Sequence, residues 1–345
     1  MQVRFSHSTP VSKIKKGQDT FVSDVDFYNL ENEDFAIEDL NPISIKHYNN
    51  LDAYPHAFET DQDVLGWSTA MMTESPLGLA LLKHFEEQEW HICLSDIGNG
   101  SYHLNIDEKL LEIDNFSIDS GSLGRSNLFR NAVLVNLAHA LRDIWHETRQ
   151  NDSKNSGEDD ILSTYKPDSA LLLERVRAAD CDAMAVMIAW ELRGAGYKEV
   201  WRHVLSIDQS DMAQILLNII DYNPTAVYNG MAMAHLFRQW YADPTRVQAV
   251  DHDTLEEMDV LVEQGIALGS RTPLPEVLKE MAMLPDGICY LEDVTETVMR
   301  DPFFCDLTDP INEAHLFQIV YDNKVTFKEG VPFRDESLAR KIFPQ

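Results

Sequence analysis

Leu137-Ala138-His139-Ala140-Leu141-Arg142-Asp143-Ile144-Trp145-His146-Glu147 carries leucines and a tryptophan at helical spacing, continuing a stripe that starts at Leu134. The same stretch sets His139, Asp143 and His146 at i, i+4 and i+7, which places all three on one side of a helix. The pattern predicts a long helix over Asn127 to Gln150. A polar stretch from Gln150 to Pro167 reads as a loop, and a second long helix is expected from Asp168 to Ala195, stopping at Gly196. Two long helices bearing His, Asp, Glu and Arg on facing sides decide the fold.

Upstream, Ser75-Pro76 reads as an N-cap with proline in the first helical turn, opening a helix over Leu77 to Gln88. Trp90 to Leu94 and Ser101 to Ile106 read as strands joined at Asn99-Gly100, a hairpin signal, with a third strand at Lys109 to Asp114. After a polar loop over Ser117 to Ser126 comes the first long helix. Beyond Tyr197, prolines divide one helix from the next, with a short extended piece at Lys324 to Lys328. Ala234-His235-Leu236-Phe237 recurs at Ala314-His315-Leu316-Phe317, and two copies are too few to define a repeat. The expected fold is α+β and mainly helical: a small antiparallel sheet, the helix pair, then a helical region. Residues 1–62 lack a sustained period and read as a loosely ordered arm; 63–197 and 198–345 form the two packed regions.

The 345 residues are 44% apolar, enough for a large core. Against 28 basic residues stand 58 acidic ones, a net charge of -30 that repels phosphate backbones and acidic membranes. No nucleic-acid or membrane partner is expected. No apolar run is long enough to cross a bilayer, and Met1 to Lys16 lacks the apolar centre of a secretory signal. Cys93, Cys181, Cys289 and Cys305 lie far apart, as reduced thiols would in a cytoplasmic protein.

Two histidines four residues apart bind Zn²⁺ in zincins, a glutamate after the first activates the metal-bound water, and a downstream helix supplies a third ligand. The order sheet, helix, loop, helix is also theirs. With Glu174-Arg175-Val176-Arg177-Ala178-Ala179-Asp180-Cys181-Asp182, Ala189-Trp190-Glu191-Leu192-Arg193 and Val331-Pro332-Phe333-Arg334-Asp335, the chain resembles a bacterial family of largely uncharacterised metallopeptidase-like proteins over residues 65–345. The resemblance implies a zincin-like region and a zinc site; the family brings no defined substrate, and a peptide or protein is the substrate expected of the class. His139 matches the first ligand, Asp143 stands where the second histidine belongs, and Asp180 would complete the site, with Asp182 or His146 as substitutes. Ala140 occupies the place of the catalytic glutamate and cannot accept a proton, so the base would have to be Glu147.

The same residues have a second reading. Arg142, Asp143, Glu174, Arg175, Arg177, Asp180 and Asp182 can pair as a charged network between packed helices and need no metal. The protein is then a non-enzymatic acidic helical scaffold that binds a basic partner. Solvent-open convergence of His139, Asp143 and Asp180 favours the metal; an arginine filling that space favours the network. Asp251-His252-Asp253 reads as the acidic first turn of an N-capped helix. Cys181, between two carboxylates, is expected to be a poor nucleophile.

Overall fold

In the computed structural model, the residues described are 4–5, 58, 60–118, 127–152 and 161–330. Thr60 opens α1 (Asp61–Met72) with a capping box shared with Asp63, and Ser75 caps α2 (Pro76–Glu87) as expected. A Cβ on Gly78 would lie 2.5 Å from the Met72 carbonyl oxygen, so this glycine lets α2 begin directly against the end of α1. Helix α1 was not anticipated. It buries Val64, Leu65, Ser68, Thr69, Met71 and Met72, which are spread around the helix instead of forming one apolar stripe.

The sheet contains β1 (Arg4–Phe5), β2 (His91–Ser95), β3 (Tyr102–Asn105) and β4 (Leu110–Asp114) in the order β1-β3-β4-β2. It is mixed, which corrects the antiparallel expectation: β3 and β4 are antiparallel, while β2 pairs with β4 in parallel. Asn99-Gly100 therefore makes no hairpin. The carboxylate of Asp114, at the end of β4, accepts from the N–H groups of Gly98 (3.4 Å), Gly100 (2.5 Å) and Phe116 (3.0 Å), and the loop wraps around it. The real hairpin turns at Ile106–Lys109, with Lys109 in the left-handed region at φ 51°.

The two long helices are α3 (Asn127–Asp152) and α5 (Pro167–Gly194), separated by the short α4 (Ile161–Thr164). Helix α5 is buried on nearly every side. It packs against α3, α6 (Lys198–Val204), α8 (Met231–Trp240) and α9 (Pro244–Glu263), so it runs through the middle of the molecule. Helix α7 (Ser210–Tyr222) lies on α8. The chain ends its described part with α10 (Pro275–Met281), α11 (Thr295–Val298), α12 (Pro302–Cys305) and α13 (Pro310–Lys328).

Two local expectations are corrected here. Lys324–Lys328 is helical: Asp309 caps α13, whose packing on α9 overrides the strand preference of Val325 and Thr326. Asp251 lies mid-helix, because Asp243-Pro244 starts α9 seven residues earlier. The repeated Ala-His-Leu-Phe is chance, with Phe237 buried and Phe317 exposed. Of the arm expected over 1–62, all but Arg4–Phe5, Phe58 and 60–62 lies outside the described residues, as do most of the loops around 119–126 and 153–160 and the Val331–Asp335 motif.

Candidate functional site

Facing turns of α3 and α5 carry three adjoining ionic groups. The most buried centres on Asp180, which is 0% exposed. Its carboxylate accepts from Arg142 Nε (2.5 Å) and Nη2 (3.2 Å), His146 Nε2 (2.7 Å) and the Tyr290 hydroxyl (2.7 Å). Arg142 also donates to the carbonyls of Met281 (3.2 Å) and Met283 (3.0 Å). Burial alone would raise the Asp180 carboxyl, but the Arg142 guanidinium and the His146 hydrogen bond outweigh it and hold it well below the usual range. Burial lowers the His146 imidazole, which is therefore neutral and carries its proton on Nε2, facing the carboxylate.

One turn away, Arg177 donates from Nε to Asp143, and its Nη1 lies 3.2 Å from Glu147 Oε2. Tyr102 on β3 also donates to Asp143 (3.3 Å). Burial would lower the Arg177 guanidinium, but Asp143, Glu147 and Glu174 raise it well above its ordinary value. The third group opens to solvent. His139 Nε2 lies 3.0 Å from Asp182 Oδ1, which also accepts from Gln209 Nε2 (2.8 Å), while Asp182 Oδ2 accepts from Trp240 Nε1 (2.6 Å). Burial works against this carboxylate, and His139 with Gln209 keeps it below the usual range.

The second and third groups border a cleft of about 1610 Å³, lined also by the Gly98–Tyr102 loop, His203 and the N-terminal turn of α9. Eight carboxylates and two guanidinium groups line it, so the cleft is acidic like the molecule around it.

The three proposed ligands thus point to three different partners: His139 to Asp182, Asp143 to Arg177, and Asp180 to Arg142. Glu147, the candidate base, is paired with Arg177 and is only 6% exposed. Ala140 is fully buried. Among the described residues, the one set of three ligand-type side chains with atoms within 4.8 Å of each other is His146, Asp180 and Cys181.

Residues 126–291 match a family described as "Putative metallopeptidase family". This metallopeptidase-family stretch holds both long helices and every residue of the three ionic groups except Tyr102. No curated protein and no solved structure matches the chain.

The family match and the His146–Asp180–Cys181 cluster both point toward a metal ion, but the donor chemistry of these residues does not fit one. A metal ligand must be deprotonated and have a lone pair available. Without an ion, burial first, then Asp143 and Asp180, push the Cys181 thiol well above its usual range, and the lone pairs of Asp180 are already taken by Arg142, His146 and Tyr290, with the Arg142 guanidinium supplying the positive charge a metal would bring. At Asp143 and Glu147, the ligand and base expected from the sequence, the guanidinium of Arg177 takes the same role. Tyr290 and Trp240, which complete two of the groups, lie far along the chain and gave no periodic or motif signal.

Proposed function

We propose that this is a non-hydrolysing, metallopeptidase-like protein whose acidic cleft binds a cationic peptide or protein segment. The observation that carries the reading is the position of Arg177, which donates to Asp143 and sets its guanidinium at ion-pair distance from Glu147. A carboxylate held in such a pair is a weak base and a poor ligand. Buried Ala140 supplies neither function. Carboxylates outnumber guanidinium groups along the cleft, and this excess of negative charge, with Asp208 and Glu257 among its contributors, then favours lysine or arginine side chains and speeds their approach by long-range attraction. The cysteines are free thiols, which supports residence in a reducing compartment such as the cytoplasm. Among the described residues, no helix is long and apolar enough to cross a membrane.

The test pairs two measurements on the full chain. Metal content by plasma mass spectrometry, after incubation with zinc, is expected to be well below one ion per chain. Anisotropy with a labelled lysine/arginine-rich peptide is expected to show salt-sensitive binding, weakened by Asp208→Asn and Glu257→Gln at the cleft, with the peptide left uncut. Stoichiometric zinc that disappears in His139→Ala, together with cleavage, would replace this reading with a zinc peptidase using His139, Asp143 and Asp180 as ligands and Glu147 as base.

A further inference from the structure

The geometry points to a second binding surface, remote in character from the cleft: the outer face of α13 pairs antiparallel with α13 of a second copy of this chain. Helix α13 rests on α9 through one side, burying Asn312, Ile319 and Asp322. Its opposite side exposes Phe317 (74%), Tyr321 (54%), Val320 (44%) and Phe327 (40%). Spacings of three, four and seven residues line these up on one stripe, with Glu313, Ala314, Lys324 and Lys328 on the same side. Three aromatic rings on one exposed helix face are unusual in a chain this acidic, because such a patch normally meets another surface.

The arrangement of charge selects the occupant. The stripe carries Glu313 near its N-terminal end and Lys324 and Lys328 near its C-terminal end. A two-fold axis passing between Val320 and Tyr321 sets Glu313 opposite Lys328, Phe317 opposite Lys324 and Ala314 opposite Phe327, each pair occurring twice. Opposite charges meet, a lysine stem and ammonium cover each Phe317 ring, and a small residue faces each Phe327. A parallel pair would instead stack like charges. This self-complementarity is what an isologous interface requires. In this register the face lets two chains of net charge -30 approach with each Glu313 meeting a lysine and not another carboxylate. A single helix of 19 residues, about 28 Å long, makes a small interface, so the dimer belongs to the weak, micromolar class.

Sedimentation velocity of the full chain over a concentration series at physiological salt tests this. A monomer–dimer equilibrium is expected, and Phe317→Glu is expected to weaken it at least tenfold with an unchanged circular dichroism spectrum. Glu313→Lys and Lys328→Glu should each weaken the dimer, and the two together should restore it. A wild-type chain that stays monomeric, as it would if its own C-terminal residues cover the stripe, overturns the proposal. So does a dimer indifferent to Phe317→Glu. Single charge reversals without effect, or a double reversal that fails to restore pairing, overturn the antiparallel register.

Discussion

Arg177 and Glu147 lie 3.2 Å apart, with Asp143 on the other side of the same guanidinium. A fixed organic cation thus stands among carboxylates contributed by both long helices.

Removing that cation should expose the carboxylates it satisfies. Arg177→Ala leaves Asp143 and Glu147 mostly buried and without their guanidinium, and the expected loss is about 3–5 kcal/mol, the usual cost of breaking a buried pair. If the site is a cation site filled from within, the variant should recover part of that loss on addition of a divalent metal, while the wild type should show no change. Thermal melts with and without zinc or calcium check both statements.

Placing a glutamate at position 140 should not produce hydrolysis. Ala140 is fully buried on α3, so Ala140→Glu must place a carboxylate in packed apolar surroundings. Destabilisation of about 1–3 kcal/mol from overpacking, or more if the acid stays charged, is expected. Chemical denaturation and a peptidase assay with added zinc measure the two outcomes separately.

Asp182 should matter more than its partner His139. The aspartate accepts from His139, Gln209 and Trp240, joining α5 to α3, α8 and the segment before α7. Asp182→Asn is expected to cost about 1–3 kcal/mol through unsatisfied buried donors. The partly exposed His139→Gln should cost less than about 1 kcal/mol. Denaturant midpoints of the two variants compare them directly.

The buried histidine sets a pH dependence. His146 has a folded pKa lowered by burial, below the ordinary value of about 6.5 that it takes when unfolded. In that window the unfolded chain binds the proton and the folded one does not, so the contribution of His146 is full above about pH 6.5 and shrinks as pH falls toward its folded value. His203, also lowered by burial, has the same sign. Because acidification also relieves the repulsion of a chain at -30, the diagnostic quantity is a difference: the stability gap between wild type and His146→Gln should narrow below pH 6.5.

The sequence disclosed the long helices because α3 has a clean apolar stripe and α5 ends in glycine. It disclosed part of the charged set for the same reason, since helical spacing alone puts His139, Asp143 and His146 on one side of α3. Pairing was not legible. Whether Arg177 reaches Asp143, and whether Asp180 turns to Arg142 or to His139, depends on the roll of α5 against α3 and on Tyr290, which is 110 residues from Asp180. The sheet was misread at one point: Asn99-Gly100 has hairpin chemistry, but three backbone donors that converge on Asp114 outbid a two-residue turn. Helix α1 was missed because burial on several sides erases the alternation that marks a helix.

That Asp114 anchor has a thermodynamic consequence for whatever enters the cleft. Gly98, Gly100 and Phe116 would be free to sample many conformations in an unsupported loop, and a guest would have to still them on arrival. Tied to one carboxylate at the end of β4, this wall of the cleft is already fixed, so the loss of backbone freedom is charged to folding and not to association. A guest meeting it should bind with a smaller unfavourable entropy than one that had to fold the loop itself, and an Asp114→Ala chain should give that advantage back.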